Sequence, residues 1–386
     1  MSHPKLRVAV VGLGVGAQHV AAYKSLPNLF DLVAICSLED DKNRQLAAEY
    51  GVPLTLTSYD ALLKMPDLDV VNICTPPMLH RPQAIAALKA GKHVVCEKPL
   101  TDSLAGADEI ARVEAESGRR IMPVFQYRFG AGLQKVKRLV DAGLAGAPLA
   151  ASVEVHWRRR AEYYAVPWRG KFASELGGVL TTHAIHAVDM LTYVFGPVHS
   201  VFARTSTRSN PIEVEDCAAV VFEHANGALS TLSCTLGSAA ESTRHRLVYA
   251  NLTAESNPRA YTNSLDPWIY TPDRPEIAEG IERLIADYDA TAADEAQRAS
   301  GAGAGSASLT GYTPPARYDA QLLRFYQALA DNTPLPVNLG DARNAIELLS
   351  AMYYSARTGA PVSLPLDASH PVYGGWSPRN ATGKSS

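Results

Sequence analysis

The sequence predicts an α/β protein with an N-terminal doubly wound Rossmann domain and a C-terminal α+β domain that contains a large, mostly antiparallel, open sheet. Three observations lead to this prediction. Residues 5–125 alternate short apolar runs with amphipathic segments, and the chain beyond about residue 145 carries a different set of strand-like runs. The length of 386 residues is sufficient for two hydrophobic cores.

The first part of the chain contains five apolar runs that predict strands. They lie at residues 6–12, 32–37, 69–75, 93–99 and 120–126. Runs that are apolar throughout are typical of parallel strands covered on both faces. Helix-like segments such as AQHVAAYKSL and PQAIAALKAG separate the runs. Right-handed crossovers through such helices build a doubly wound sheet.

The second part predicts neighbouring antiparallel strands, at residues 151–157, 200–208, 217–225 and 228–236. Asn226-Gly227 separates the last two and favours a hairpin turn. A sheet of this kind is expected to carry helices on one face. A final helix is predicted over residues 341–359, ending on Gly359.

These patterns divide the chain into a dinucleotide-binding domain, residues 1–126, and a domain for substrate binding and oligomerisation, residues 127–378. The small, polar and glycine-rich segment at about 291–311 is predicted to be a flexible insertion. Residues 379–386 are predicted to form a loose tail.

Composition excludes several classes of function. A formal net charge of -3 and a pI of about 6.4 provide no electrostatic surface for nucleic acid. No run reaches the roughly 18 apolar residues of a membrane span. The five cysteines are scattered without a CxxC pair, which favours reduced thiols in the cytoplasm over disulfides or a structural zinc site.

The clearest motif is GLGVGA at residues 12–17, in which Gly12, Gly14 and Ala17 form GxGxxA between a predicted strand and a predicted helix. In this motif the first glycine makes a tight turn and the second lets the backbone approach a pyrophosphate. The third small residue lets the helix pack closely on the strand. The helix N-terminus then presents N–H groups to the anion. The motif therefore predicts a bound dinucleotide.

The end of the second predicted strand leaves the choice between NAD and NADP open. An acidic residue there usually holds the ribose hydroxyls of NAD, but this chain has Ser37. Glu39 could hold the ribose from a longer turn, whereas Lys42 or Arg44 could reach a 2′-phosphate. We expect NAD, with NADP as the alternative.

Together these motifs resemble those of the Gfo/Idh/MocA oxidoreductases, the family of glucose–fructose oxidoreductase and inositol dehydrogenase. The resemblance rests on GLGVGA (12–17), CTPPMLH (74–80), CEKPL (96–100), FQYRF (125–129), WRG (168–170), GGVLTTHAIHAVDML (177–191) and GAPVSLP (359–365). It covers nearly the whole chain and implies a two-domain dehydrogenase whose nicotinamide lies against the second domain's sheet. It also implies that Lys98 is catalytic.

The glycine motif and the resemblance give one set of expected cofactor-binding residues. They are Gly12, Leu13, Gly14, Val15, Gly16, Ala17, Ser37, Thr75, Pro76, His80, Glu97 and Lys98. Lysine followed by proline ends a predicted parallel strand, at the edge where ligands bind in such sheets.

The segment 177–191 carries the expected general base. The family shows Asp-x-x-x-His after a glycine pair, so His186 corresponds to its histidine, but Thr182 occupies the aspartate position. Helical spacing places Thr182 and His186 on one face, where the hydroxyl could hydrogen-bond the ring. Two alternatives stay open: a metal site formed by His183, His186 and Asp189, or histidines that only stabilise the core.

Aromatic and arginine side chains complete the predicted substrate site. Aromatic rings stack on the apolar faces of sugars, and arginines bind hydroxyls, carboxylates or phosphates. The expected substrate-binding residues are Tyr127, Arg128, Trp157, Arg158, Tyr164, Trp168, Arg169, Thr182, His183 and His186. Arg128 has the alternative role of an ion-pair partner between domains.

The predicted activity is oxidation of a secondary hydroxyl on a sugar, a sugar derivative or a cyclitol by hydride transfer to NAD or NADP. His186 and Lys98 would handle the proton, without a metal. The partners expected are a small-molecule sugar or polyol and further copies of the chain in a homodimer or homotetramer. Two other functions stay open: an enzyme that recycles a tightly bound cofactor, as an oxidoreductase or lyase acting through transient oxidation, and a non-enzymatic dinucleotide sensor.

Overall fold

A computed structural model describes residues 4–300 and 317–378. It contains two sheets, of six and eight strands, in two compact units. Within the described ranges, no helix combines the length and the apolar character needed to cross a membrane.

The first sheet is parallel throughout, which confirms the doubly wound prediction. Its strands are β1 (Leu6–Val11), β2 (Phe30–Cys36), β3 (Leu54–Leu56), β4 (Val70–Ile73), β5 (His93–Cys96) and β6 (Ile121–Pro123), in the order β3-β2-β1-β4-β5-β6. The helices that follow these strands are α1 (Gly16–Lys24), α2 (Asp40–Tyr50), α3 (Tyr59–Leu63), α4 (His80–Lys89) and α5 (Leu104–Ser117). The central strand β1 is buried at Val8, Ala9 and Val10, because helices cover both faces. The sequence did not predict β3, which has only three residues.

The second sheet is mixed and mostly antiparallel, as predicted. Its strands are β7 (Pro148–Arg158), β8 (Val198–Ser206), β9 (Cys217–His224), β10 (Leu229–Thr235), β11 (Gly237–Tyr249), β12 (Leu252–Glu255), β13 (Ile269–Pro272) and β14 (Val362–Ser363), in the order β13-β12-β11-β7-β10-β9-β8-β14. Only the β7–β10 pair is parallel. The predicted hairpin is confirmed: β9 and β10 are antiparallel, and Gly227 in their turn has a φ of 85°.

One face of this sheet is covered and the other is open. Along β7, Val153, Val155 and Trp157 are buried, while Ser152 and Arg158 are exposed. The remaining helices are α6 (Ala131–Asp141), α7 (Ala161–Tyr164), α8 (Phe172–Glu175), α9 (Ile185–Phe195), α10 (Pro275–Ser300), α11 (Tyr318–Ala330) and α12 (Leu339–Thr358). Of these, α9 packs against β7 and β11. Strand alternation therefore separates a buried face from a solvent face.

The compact units differ from the predicted domains. The first unit comprises the described residues of Met1–Thr101, Ala107–Gln126 and Asp289–Ala342, and the second comprises those of Asp102–Gly106, Tyr127–Tyr288 and Arg343–Ser386. The late segment joins the first unit because α11 packs there. The ring of Tyr326 contacts Phe30 at 5.7 Å between centroids. Residues 289–342 therefore belong to the first compact unit, apart from the other residues of 127–378.

The segment predicted to be a flexible insertion begins within a helix. Helix α10 continues to Ser300, so residues 291–300 are helical; alanine-rich sequence has high helix propensity. Residues 301–311 of that prediction, and the predicted tail 379–386, lie outside the described residues.

Candidate active site

The glycine loop after β1 leaves space for a ligand's phosphates. Gly12 has a φ of 86°, and a Cβ there would lie 2.6 Å from the carbonyl oxygen of Cys74, so only glycine fits. A Cβ on Gly14 would meet nothing within 4 Å. The loop is therefore tight against β4 and open at Gly14, directly before the N-terminus of α1. This geometry fits a dinucleotide pyrophosphate.

Close packing of α1 on the sheet occurs at Gly16 rather than at Ala17. A Cβ on Gly16 would lie 3.2 Å from Cβ of Cys74 and 3.3 Å from Cγ1 of Val10. Gly16 is buried, whereas Ala17 is half-buried. The GxGxxA pattern therefore predicted the loop correctly, but it assigned the helix–sheet packing contact to Ala17, one residue after Gly16, where the structure has it.

The region after β2 holds cations that are already paired with acids. Nζ of Lys42 lies 3.7 Å from a carboxylate oxygen of Glu39. The guanidinium of Arg44 pairs with Asp40 and Asp41. Ser37 accepts a hydrogen bond from the backbone N–H of Glu39. The three carboxylates outnumber the two cations, so the local net charge is negative and disfavours a bound 2′-phosphate.

His80 lies beneath the carboxyl edge of the sheet rather than lining it. Its side chain is 1% exposed, with Nδ1 2.8 Å from the carbonyl oxygen of Pro99 and Nε2 2.8 Å from that of Thr75. Burial lowers the pKa of His80, although both carbonyls act in the opposite direction. The ring joins the turn after β4, which contains Thr75 and Pro76, to the segment after β5. We assign it a supporting position beneath the predicted cofactor residues.

A buried polar network holds the segment that carries Lys98. Nε2 of His19 lies 3.0 Å from Oε1 of Glu97, and Nδ1 lies 3.0 Å from Oδ1 of Asn72. Oε2 of Glu97 accepts the backbone N–H of Lys98 at 3.1 Å. Burial alone would lower the pKa of His19, but Cys74 and Glu97 raise it to about 10. His19 is therefore a buried imidazolium paired with the Glu97 carboxylate. Neither contact was predicted from sequence.

The glycine pair at the start of the histidine segment is required by close contacts. Gly177 has a φ of 152°, and a Cβ there would overlap the hydroxyl of Tyr353. A Cβ on Gly178 would overlap the carbonyl oxygen of Glu215. The Glu215 carboxylate also accepts the backbone N–H groups of Gly178 and Leu180, at 3.0–3.1 Å. Burial raises the pKa of Glu215 to about 7, against these donors.

The next turn is a π-helix over Leu180–Ala184, followed by α9. The sequence predicted helical spacing for the whole segment but did not predict that its first turn is a π-helix. Single π-turns are rare and occur frequently at functional sites. Their wider turn changes which side chains share a face, so spacing alone could not place Thr182 relative to His186.

Thr182 determines the protonation of the neighbouring ring. Its hydroxyl donates to the carbonyl of Gly178 at 2.7 Å and lies 2.6 Å from Nδ1 of His183. Because a hydroxyl has one hydrogen, Nδ1 must be the donor in the second contact. In the neutral ring, Nε2 of His183 then carries the lone pair. For the same reason the hydrogen of Thr182 is not available for donation to His186.

Asp189 is the partner of Arg128. The guanidinium makes a two-point contact, with Nε 2.8 Å and Nη2 2.6 Å from the carboxylate oxygens, and both side chains are buried. Arg128 is thereby held within its own unit, by a residue of α9. Among the described residues, no group of three or more histidine, cysteine, aspartate or glutamate side chains is placed to hold a metal ion.

The two histidines of this segment line one cavity in the second unit. Its nine lining residues are Tyr127, Val155, Trp157, His183, His186, Ala187, Met190, Thr243 and Asn263. The rings of Tyr127 and His186 lie 4.7 Å apart, and those of Trp157 and His183 lie 4.8 Å apart. Tyr127, Trp157, His183 and His186 were predicted. Thr243 and Asn263 were missed because β11 and the loop before β13 had no recognised pattern. Val155, Ala187 and Met190 lie in segments that were recognised, but their apolar side chains gave no sign of a site.

The other predicted substrate residues have different environments. Arg169 contacts Glu175 at 2.9 Å and stacks on the ring of Trp168, with 4.3 Å between Cζ and the centroid. Arg158 is exposed and donates to the carbonyl of Ala239. Tyr164 is half-buried. None of these residues lines the cavity, so their predicted contact with substrate has no support from its geometry.

Two parts of the chain match one family of known proteins. Residues 6–125 match the oxidoreductase family with an NAD-binding Rossmann fold, GFO_IDH_MocA. Residues 133–251 match the GFO/IDH/MocA C-terminal domain. The first match covers the domain of the six-stranded sheet, and the second covers most of the domain of the eight-stranded sheet.

Individual relatives extend this similarity. The chain is 27% identical over 388 residues to the D-glucoside 3-dehydrogenase of Escherichia coli, covering 94% of this chain and 99% of that protein. It is 30% identical over 234 residues to the myo-inositol 2-dehydrogenase of Thermotoga maritima, covering 59% and 67%. The structure of the WlbA dehydrogenase from Bordetella pertussis in complex with NADH and UDP-GlcNAcA has a TM-score of 0.78 at 27% identity, covering 94% and 100%.

Proposed function

Because the chain belongs to the Gfo/Idh/MocA family of oxidoreductases, we propose that it oxidises a secondary hydroxyl of a sugar, a sugar derivative or a cyclitol. The observation that carries this proposal is the cavity beside α9. It presents His183 and His186 next to the rings of Tyr127 and Trp157. Aromatic rings beside a few directed polar atoms are typical of the lining of a small-molecule site, although the cavity between these side chains, at about 10 Å³, is smaller than a sugar ring.

The glycine loop and the carboxyl edge of the first sheet would hold NAD. Gly12, Gly14 and the N-terminus of α1 fit its pyrophosphate, and Thr75 and Pro76 follow β4 at the edge where ligands bind in such sheets. When bound, NAD supplies the acceptor for the hydride that leaves the substrate carbon.

Lys98 and His186 handle the proton of the reacting hydroxyl in this proposal. Oxidation of an alcohol carbon breaks the O–H bond as well as the C–H bond, and a histidine near neutral pKa can accept that proton. The Lys98 ammonium would hold the hydroxyl oxygen. Its backbone is fixed by Glu97, which is in turn fixed by His19.

His183 has a different task from that of His186. Thr182 keeps its Nδ1 protonated, so Nε2 is a fixed acceptor on a residue that lines the cavity. In the neutral ring this nitrogen can accept a hydrogen bond and cannot donate one. The ring of Trp157 lies edge-on to the His183 ring, and its Nε1 donates to the hydroxyl of Thr243 at 2.7 Å. This combination favours a polyol ring, in agreement with the glucoside and inositol dehydrogenases among the relatives.

The proposal is tested with a panel of sugars, sugar acids and cyclitols, read by absorbance of the reduced nicotinamide with NAD and NADP separately. Net reduction of cofactor with at least one member is the expected result. Nicotinamide retained by the purified protein, with no net reduction, would favour the self-recycling alternative. Dinucleotide binding without turnover of any member would favour a sensor.

We also propose a homodimer or homotetramer in the cytoplasm. The eight-stranded sheet has an open face with exposed apolar residues, including Val221 and Leu229, and the five cysteines are free thiols. Light scattering during size-exclusion chromatography tests the assembly, and a monomer at micromolar concentration would contradict it. Fractionation of the native cells tests the compartment.

A further inference from the structure

Asn263 is a buried residue of the cavity that the sequence patterns did not single out. Its side chain is 1% exposed, and it lines the cavity together with His183 and His186. Oδ1 of Asn263 has no hydrogen-bond partner among residues 4–300 and 317–378. A buried amide oxygen without a partner costs free energy, so such atoms are rare unless a ligand or water satisfies them.

The orientation of this amide is determined by His245. Nδ2 of Asn263 lies 3.0 Å from Nδ1 of His245, and Nε2 of His245 lies 2.9 Å from the carbonyl oxygen of Ala187. A carbonyl can only accept, so Nε2 carries the ring proton and Nδ1 is the acceptor. Asn263 must therefore direct its NH₂ group at His245.

His245 holds this arrangement because its ring is neutral. It is fully buried, and burial lowers its pKa to about 4. A reversed amide would place Oδ1 of Asn263 against the lone pair of Nδ1, which only a doubly protonated ring could relieve. The backbone of Asn263 is held as well, because its carbonyl accepts the indole N–H of Trp268 at 2.9 Å.

On the basis of the function proposed above, we propose that Asn263 is a substrate-binding residue whose Oδ1 accepts a hydrogen bond from a hydroxyl that is not oxidised. The site would then select polyols over substrates with a single hydroxyl. His245 is the positioning residue that fixes the amide.

The kinetic test compares Asn263→Ala with the matched control Asn251→Ala. Asn251 is half-buried in the same unit, where its amide donates to the carbonyl of Leu144. With the panel member that the wild type oxidises best, Asn263→Ala should raise KM at least tenfold and keep kcat within about threefold, as expected for an interaction present in both ground and transition states. Asn251→Ala should match the wild type. A KM within threefold of wild type for Asn263→Ala would overturn the proposal.

A second readout does not depend on turnover. D-glucose and myo-inositol are titrated into the protein while the side-chain amide signals of Asn263 are followed by NMR. A saturable shift with either probe, together with nitrogen-15 signals of His245 that show a proton on Nε2 only, supports the proposal. Unmoved Asn263 signals with both probes, or a proton on Nδ1, would overturn it. Absence of turnover across the panel would instead count against the proposed dehydrogenase activity, and the titration would still decide the role of Asn263.

Discussion

The hydroxyl of Thr182 lies 2.6 Å from Nδ1 of His183, and its single hydrogen is donated to the carbonyl of Gly178. In the family pattern that this chain resembles, residue 182 would be an aspartate supporting His186. Here a threonine supports His183 instead, by accepting the proton of Nδ1. The family's charged aspartate, which supports the histidine at position 186, is thus replaced by a neutral threonine that supports His183.

Thr182→Val should therefore weaken substrate binding without removing cofactor binding. Valine keeps the branched shape and removes the acceptor, so the His183 ring no longer has a preferred tautomer. We expect KM for the best panel substrate to rise roughly five- to tenfold, since one hydrogen bond between neutral groups contributes about 1 kcal/mol. Thr182→Ser is the control and should remain near wild type. Equal kinetics of the valine and serine variants would contradict this role.

Lys98→Ala and His186→Ala should each lower kcat by at least about 10²-fold, because positioned proton transfer contributes on that scale. The dissociation constant for NAD should change little, since the pyrophosphate is expected at the glycine loop. Cofactor affinity is measured by titration, and kcat by reduction of NAD. Activities of both variants within threefold of wild type would exclude the assigned roles.

The kcat/KM with NAD should exceed that with NADP. Lys42 and Arg44 are paired with Glu39, Asp40 and Asp41, so little positive charge is available for a 2′-phosphate. Lys42→Ala should leave the ratio of the two values nearly unchanged. A hundredfold preference for NADP, lost in Lys42→Ala, would show that the paired lysine binds the phosphate after all.

His19→Gln should destabilise the protein in a pH-dependent way. At pH 7 it removes the charged ring that pairs with the buried Glu97 carboxylate, at an expected cost of about 3–5 kcal/mol in the free energy of unfolding. The folded pKa of His19 is about 10, above its ordinary value of 6.5. The stabilisation by its proton is therefore complete below pH 6.5 and lost as pH rises through 10.

The difference in unfolding free energy between wild type and His19→Gln should thus narrow from pH 6.5 to 10, measured by urea denaturation. His93→Gln is the matched control on β5. Burial lowers the pKa of His93 to about 4, so that ring is neutral throughout the interval. A constant difference for His19→Gln across the interval would mean that its ring is neutral in the folded protein.

The sequence was sufficient for features that follow from local chemistry. Apolar runs predicted five of the six parallel strands, and Asn226-Gly227 predicted the β9–β10 hairpin, because burial and turn preference act over a few residues. The glycine loop was found for the same reason. A side chain at Gly12 would collide with the backbone of Cys74, which is distant in the chain, but the glycine motif itself is a short local pattern.

The missed features depend on residues that are distant in the chain. Helix α11 joins the first unit because Tyr326 packs on Phe30, which no local pattern encodes. The π-turn at Leu180–Ala184 has no spacing signature, so the contact between Thr182 and His183 was not predicted. Asn263 is held at the cavity by contacts with His245 and Trp268. These residues lie on β11 and just before β13, which were not predicted.

The measurement that tests the central claim most directly is transfer of deuterium from a panel substrate labelled at its carbinol carbons. If the protein is a dehydrogenase of the proposed kind, the reduced nicotinamide isolated after turnover contains one deuterium. Lys98→Ala and His186→Ala then form this labelled product at least about 10²-fold more slowly than wild type. Reduced nicotinamide without deuterium, or substrate consumed with no labelled cofactor formed, would contradict the account.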